Sequence, residues 1–196
     1  MTGGRFSPGY SLLEAVFALA LASILGGIAF ANVSSALDDF RTQSAVRFVA
    51  GQMQFARATA VAHSANTAFR FTGASPSFNF RLFEDGNGDG VRSRDIDEGV
   101  DRPLGFDDRL SRQFPGVDFG VLADLPGADG SPPPAGDPIK LGASNMTVFT
   151  PLGTASSGSL YVLGPRQLQY VVRIYGETGR TRILKFNPRT RSWRAL

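Results

Sequence analysis

The chain has 196 residues, of which 42% are hydrophobic and 11% aromatic, so it can form one domain of ordinary size with an appendage. It contains no cysteine, which excludes a disulfide framework and a thiolate metal site. The formal charge is only +3, but residues 84–129 hold twelve acids and five arginines, whereas residues 166–196 hold eight basic residues and one acid. The acidic middle and the basic tail therefore need separate explanations.

The N-terminal residues predict a membrane-spanning helix. No residue from Ala15 to Ala31 is charged, and residues 10–13 extend this run at its start. A helix of about 20 residues rises ~30 Å, which is the thickness of a bilayer core. The preceding residues 1–9 form a short leader that ends in the small residue Gly9. Cleavage after Gly9 would keep the apolar helix, whereas a secretory signal peptide is removed together with its apolar segment.

Glu14 is the one charged residue in this apolar stretch. An ionised carboxylate inside a membrane costs a few kcal/mol unless it finds a partner. One partner would be the free α-ammonium that cleavage after Gly9 creates on a neighbouring subunit, and such a pair would set the register between subunits. The alternative is a carboxylate that stays protonated or reaches the membrane surface on its own.

The segment Gly9-Tyr10-Ser11-Leu12-Leu13-Glu14, followed by the apolar run, resembles the leader of type IV pilins and of type II secretion pseudopilins, whose usual form is Gly-Phe-Thr-Leu-Ile-Glu. The resemblance implies cleavage after Gly9 by a prepilin peptidase, N-methylation of Tyr10, and a role for Glu14 in assembly. It also implies a single-pass protein of the bacterial inner membrane whose helix contacts other pilins or pseudopilins and whose head lies in the periplasm, with membership of a surface fibre as a further option. Tyr10 replaces the commoner Phe, and Ser7-Pro8 stands where a basic residue often precedes the glycine.

Residues 32–63 predict an amphipathic helix that continues into the head. Its apolar side chains fall on two sides of a helical wheel. One side carries Val33, Leu37, Phe40, Phe48 and Phe55, and the other carries Val46, Val49, Met53, Ala56 and Ala60. Two apolar sides indicate two partners: the head itself and neighbouring helices in a fibre. The alternative is a helix wholly buried in its own domain. His63, the only histidine, ends this segment and is expected to cap the helix or to be exposed.

Residues 64–196 predict a β-rich head. Alternating apolar residues on both sides of Gly73-Ala74-Ser75-Pro76 indicate a hairpin, and the Pro- and Gly-rich residues 124–142 indicate an exposed loop. Further strands are predicted at 146–149, 159–163, 168–175 and 182–186, with a tight turn at 176–179. The expected fold is α+β and pilin-like: a long N-terminal helix, membrane-spanning in its first half, packed on a C-terminal head of antiparallel strands.

The C-terminal half has a family resemblance of its own. Phe149-Thr150-Pro151-Leu152-Gly153, a Ser/Gly connection, a strand at 160–163 and a hairpin containing Gly179-Arg180-Thr181-Arg182 are similar to the GspH/FimT branch of pseudopilins and minor pilins. In FimT-like minor pilins, a Gly-Arg-x-Arg segment near the C-terminus is associated with DNA capture.

The acidic middle contains half of a calcium-loop pattern. Residues 85–90, Asp-Gly-Asn-Gly-Asp-Gly, place oxygen ligands at alternate positions, Asp85, Asn87 and Asp89, and supply a glycine for the sharp turn. Position twelve of such a loop needs a carboxylate but is Ile96, with Asp95 and Asp97 on either side as substitutes. The segment therefore predicts either a Ca²⁺ site or an ordinary solvated turn between strands.

The basic tail is a candidate site for a polyanion such as DNA. Arginines neutralise phosphates, and Trp193 could stack on a base. The alternatives are a charged edge strand that prevents aggregation, or a contact with an acidic neighbouring subunit. The candidate residues are Arg180, Arg182, Lys185, Arg189, Arg191 and Arg194.

No nucleophile and base pair stands out and no phosphate loop is present in the sequence, so an enzyme is not expected and no cofactor is required. The leading hypothesis is a GspH-like minor pseudopilin of a type II secretion fibre that supports protein export. The alternative is a FimT-like minor type IV pilin that binds DNA during uptake. A third reading is a single-pass membrane protein that does not polymerise.

Overall fold

The computed structural model describes residues 11–74, 77–142 and 144–196, apart from the side chains at 26 and 28–32. Within these residues the chain forms three α-helices, one 3-10 helix and ten strands. The helices are α1 (Leu12–His63), α2 (Ser93–Asp97) and α3 (Leu110–Gln113), and the 3-10 helix spans Pro165–Gln167. The chain divides between Leu37 and Asp38 into two compact units.

The strands form two antiparallel sheets. The first sheet has the order β3-β2-β1-β6, and the second has the order β10-β9-β8-β7-β4, with β5 also paired to β7. The strands are β1 (Thr67–Ala74), β2 (Ser77–Glu84), β3 (Arg102–Arg109), β4 (Asp118–Phe119), β5 (Ile139–Lys140), β6 (Met146–Phe149), β7 (Gly158–Gly164), β8 (Leu168–Tyr175), β9 (Arg180–Asn187) and β10 (Ser192–Ala195). The protein is therefore α+β, with a long N-terminal helix followed by antiparallel strands.

The first unit contains the start of α1. The hydroxyl of Ser11 accepts the backbone N–H of Glu14 at 3.2 Å, which satisfies one of the free N–H groups at the helix N-terminus. The large apolar side chains described in this unit are exposed: Leu12, Leu13, Val16, Phe17, Leu19, Leu21, Ile24, Leu25, Val33 and Leu37. Over the described part of the chain, no helix combines the length and the apolarity that crossing a membrane requires.

The second unit is built around one face of α1. The helix buries Val46, Val49 and Met53, together with Ala56 and Ala60, in a core formed with both sheets. The sheets contribute aromatic rings to this core, and Phe71 and Phe119 pack edge to face with centroids 5.4 Å apart. Of the two apolar sides predicted for the helix, this one therefore packs against the head.

The opposite side of α1 remains exposed in this unit at Phe40 and Phe55, which are 68% and 59% exposed. Phe48, which the helical wheel places with them, is instead partly buried and packs against Phe80 and Phe114. That assignment was wrong because a long aromatic side chain at the border between two faces can turn towards the core.

The second sheet also has an outer apolar face. Tyr161, Val171 and Leu184 lie on adjacent strands and point away from α1, since their sequence neighbours Leu160 and Val172 belong to the core under the helix. The outer cluster is completed by Leu125, Ala128 and the partly buried Phe186 and Trp193. The Pro- and Gly-rich segment 124–142 therefore covers this face and supplies β5, so its prediction as a simple exposed loop was wrong.

The other strand predictions are confirmed. The hairpin of β1 and β2 pairs residues 67–74 with residues 77–84, and the turn at 176–179 joins β8 to β9. No pattern in the sequence predicted β3, which contains Pro103 and Gly105 and is mostly exposed, or the short edge strand β10.

Candidate functional site

The residues of the leader motif can be placed only in part. Gly9 and Tyr10, the predicted cleavage and methylation positions, lie outside the described residues. Glu14 occupies the third position after the cap Ser11, so Ser11-x-x-Glu14 has the spacing of a capping box. A carboxylate in the first turn also interacts favourably with the helix dipole. The interaction with the helix dipole gives the Glu14 carboxylate a structural role within its own chain, which the sequence reasoning missed.

The predicted calcium loop is a tightly bonded turn. One carboxylate oxygen of Asp85 accepts the N–H groups of Asn87 and Gly88, and the other accepts those of Gly90 and the Asn66 side chain, at distances of 2.7–3.2 Å. Burial raises the pKa of Asp85, but these hydrogen bonds outweigh it and hold the pKa below its ordinary value. Asp85 therefore anchors the loop through hydrogen bonds within the chain.

The remaining candidate ligands divide into paired and unpaired groups. Asp89 pairs with Arg92 at 2.7 Å, and Asp97 pairs with Arg70 at 2.6 Å. The Oδ2 atom of Asp95, in contrast, is buried without a hydrogen-bond partner.

Three neighbouring carboxylates, those of Asp89, Asp101 and Glu98, act on Asp95. Burial raises its pKa, and the charges of Asp89 and Asp101 raise it further. Asp101 is itself fully buried and accepts the backbone N–H groups of Gly86 and Arg92. Across the described residues, no group of three or more His, Asp or Glu side chains is arranged to hold a metal ion. The Ca²⁺ site stays a prediction that rests on the loop pattern and on the unpaired Asp95 oxygen.

The structure divides the basic tail between the two faces of the second sheet. Arg180 and Arg182 lie on the outer face, because they alternate with Thr181 and Ile183, and Ile183 packs against the core under α1. Lys185 lies on the face of α1, and Arg194 pairs directly opposite it. Arg189 and Arg191 lie in the turn between β9 and β10. The six candidates therefore do not form one surface.

Lys185 has a structural partner on α1. Its Nζ lies 2.6 Å from Oδ1 of Asp39, which also accepts the hydroxyl of Tyr170 at 3.0 Å. Burial raises the pKa of Asp39, but the hydrogen bonds from Lys185 and Tyr170 outweigh it and leave the pKa below its ordinary value. This cluster ties the helix to the second sheet.

Two other tail residues also have protein contacts. Arg182 pairs with Asp129 at 3.4 Å, and Asp129 also accepts the hydroxyl of Tyr175. Trp193 is partly buried beside Phe186, and its indole N–H donates to the carbonyl of Pro126. Trp193 is therefore not the freely exposed ring that stacking on a base was expected to use, and its stacking stays a prediction.

Gly179, which precedes the two arginines, is constrained by packing. Its φ is +60°, and a Cβ at this position would lie 2.3 Å from the carbonyl oxygen of Gly153 and 2.9 Å from the Arg57 side chain. Arg57 in turn donates from Nε to the Gly153 carbonyl at 2.8 Å.

A further basic residue on the outer face was missed. Arg173 of β8 lies directly opposite Arg182 of β9, so three arginines share this part of the sheet. The period-two pattern of β8 could have found it, because Arg173 alternates with the buried Val172 and Ile174.

Compared with known proteins, the chain matches no protein-family model, no curated protein and no solved structure.

Proposed function

We propose that the chain is a minor pseudopilin, similar to GspH, that assembles through its N-terminal helix into a type II secretion fibre and supports protein export. In this proposal a prepilin peptidase cleaves after Gly9, Tyr10 becomes the methylated N-terminus, and residues 10–31 hold the protein in the bacterial inner membrane. The head, residues 64–196, then lies in the periplasm.

The observation that carries the proposal is a helix whose start is apolar on all sides and whose later part is apolar on two. The large apolar side chains of residues 12–25 are exposed around the whole circumference of the helix. Such a segment needs an apolar environment other than its own head. The side of α1 that carries Phe40 and Phe55 is likewise left without a partner in the described chain. Neighbouring helices of a fibre would cover both surfaces. The membrane location rests on the uncharged run Ala15–Ala31 in the sequence.

The test separates assembly from insertion. Full-length Glu14→Ala and wild type are expressed in cells that assemble the fibre, and the membrane fraction and the sheared fibre fraction are quantified. We expect Glu14→Ala to reach the membrane at wild-type levels but to be absent from fibres, because the carboxylate that pairs with the neighbouring N-terminus is lost.

Two controls sharpen this test. Glu177→Ala removes an exposed carboxylate from the turn between β8 and β9 and should enter fibres normally. Mass spectrometry of the purified protein should find an N-terminal methylated Tyr10. Normal incorporation of Glu14→Ala would contradict the pairing role, and an intact Met1 would contradict the processing.

A second candidate function is DNA binding by a FimT-like minor type IV pilin. The observation that favours it is the common outer face of Arg180 and Arg182, with Arg173 opposite Arg182. Phosphate contacts of this kind release counterions, so the affinity for DNA should fall steeply as salt rises.

This candidate is tested by DNA binding of the full-length chain across a salt series. The double variant Arg180→Gln, Arg182→Gln should lose salt-dependent binding. Arg102→Gln, Arg112→Gln removes the same charge from β3 and α3 and should retain it. The absence of binding by the wild type at low salt would leave the secretion pseudopilin as the remaining proposal.

A further inference from the structure

A row of polar and basic side chains crosses four strands of the second sheet on its outer face. Lys140 of β5 lies opposite Ser159 of β7, Ser159 opposite Arg173 of β8, and Arg173 opposite Arg182 of β9. Residues directly opposite each other in antiparallel strands point to the same face, and adjacent strands lie ~4.8 Å apart. The pairing therefore places three cationic side chains within about 15 Å along one line.

This row borders a pocket of about 460 Å³ between the sheet and the segment 130–133. Its polar lining consists of Ser131, Lys140, Ser157, Ser159, Tyr161 and Arg173. Hydroxyl, ammonium and guanidinium groups can all donate hydrogen bonds. Tyr161 is fully buried and its hydroxyl interacts with Ser131, Ser159 and the Ala128 backbone, so it forms part of the pocket wall. The side chains that line the pocket are therefore suited to an acceptor of hydrogen bonds.

The charges at the pocket do not cancel. Lys140 interacts with Asp137 at 3.4 Å, and Arg182 interacts with Asp129 at 3.4 Å. Arg173, between them, donates a hydrogen bond to the Ser159 hydroxyl at 2.8 Å and has no carboxylate partner among the described residues. Its Nε atom is buried and unbonded. Three cations and two carboxylates leave one positive charge, and it is located on the arginine that is most enclosed.

A partly buried guanidinium without an anion is unfavourable, because its transfer from water is not compensated. An arginine also presents a planar fork of N–H donors that matches the oxygens of a phosphate group. We propose that this pocket binds a phosphate group, held by Arg173 at its centre and by Lys140 and the hydroxyls of Ser157 and Ser159, which accept hydrogen bonds in the structure and can still donate one. The proposal does not depend on fibre assembly, since every residue involved lies in the second unit.

The site is tested with inorganic phosphate and the full-length chain in a non-ionic detergent. Phosphate should raise the melting temperature above that in chloride of equal ionic strength, because a ligand that binds only the folded state stabilises it. Arg173→Gln should weaken phosphate binding, measured by calorimetry, about tenfold or more. Arg102→Gln, which removes the same charge from the other sheet, should bind as the wild type does.

A second variant keeps the test decisive if Arg173→Gln does not fold. Lys140 is exposed at the rim, so Lys140→Gln should fold normally. Its affinity for phosphate should nevertheless be lower than that of the wild type. A short DNA duplex forms the second arm: if the phosphate group belongs to a nucleic acid, the duplex binds, Arg173→Gln weakens it, and inorganic phosphate competes. If it belongs to a small molecule, inorganic phosphate binds and the duplex does not. The absence of any phosphate-specific effect, or equal binding by wild type and both variants, would overturn the proposal.

Discussion

Replacing Gly164 by alanine should weaken the seat of α1 on the second sheet. Gly164 ends β7 with φ −106° and ψ 178°, a conformation open to any residue, so the substitution probes packing alone. An added Cβ would lie 2.1 Å from Oγ1 and 2.7 Å from Cγ2 of Thr42, a fully buried residue of α1. Ordinary contacts begin near 3.4 Å. Overpacking of this kind costs about 1–3 kcal/mol.

Thermal unfolding of the full-length chain, followed by circular dichroism, measures this cost. At ~2–4 °C per kcal/mol for a chain of this size, the melting temperature should fall by about 2–12 °C. Gly51→Ala is the matched control, because no atom lies within 4 Å of its added Cβ on the exposed side of α1. It should stabilise the helix by about 0.5–1 kcal/mol.

The double variant Gly164→Ala, Thr42→Ala identifies the contact responsible. Removing Oγ1 and Cγ2 of Thr42 should make the double variant less destabilised than the sum of the two single variants. A Gly164→Ala protein that melts within 1 °C of the wild type, or strictly additive effects, would refute the packing argument.

Three further predictions concern the second unit. Asp39→Asn should lower the free energy of unfolding at pH 7 by less than about 1 kcal/mol, since the pair with Lys185 is partly exposed. Because the pKa of Asp39 is lowered in the folded state, the wild type should lose this extra stability as the pH falls from about 5 towards 3. The variant has no carboxylate at this position and should show no such loss. Urea titrations at several pH values measure the difference. Gln169→Leu should lower the free energy of unfolding in urea by about 1–3 kcal/mol. The buried Gln169 amide donates hydrogen bonds to the carbonyls of Gly120, Val162 and Tyr170 and accepts one from the N–H of Leu122. A variant as stable as the wild type would contradict this. Millimolar Ca²⁺ should raise the melting temperature of the wild type but not of Asp95→Asn, and an unchanged wild type would exclude the site.

The helical and strand periodicities of the sequence predicted most of the fold. The buried face of α1 follows from the spacing of Val46, Val49 and Met53, and the hairpin of β1 and β2 follows from strict alternation around a turn. β3 was not predicted, because an exposed strand with an internal glycine shows no alternation of apolar and polar residues. β3 forms because the free edge of β2 offers it hydrogen-bond partners, and this pairing is a tertiary contact that local sequence patterns do not report.

The candidate sites were predictable as residue types but not as surfaces. Alternation along β9 puts Arg180 and Arg182 on one face, but the sequence does not show that Lys185 pairs with Asp39, which lies far away in the chain. The row from Lys140 to Arg182 depends on the register of three strand pairs, and the two-residue strand β5 has no signature of its own. Trp193 was misassigned because the outer cluster that shelters it is closed by an irregular segment.

The constraint on Gly179 means that the glycine of a Gly-Arg-x-Arg pattern can be required by the fold alone, so it is weak evidence for a particular function. Its positive φ and the close approach of Gly153 and Arg57 demand a glycine there for the helix to dock, independently of any ligand. Selection for a stable head would therefore keep this glycine in a chain that never meets a nucleic acid. The arginines are the more informative positions, and the outer face of this chain carries a third one, because Arg173 lies opposite Arg182 without the carboxylate partner that Arg182 has in Asp129.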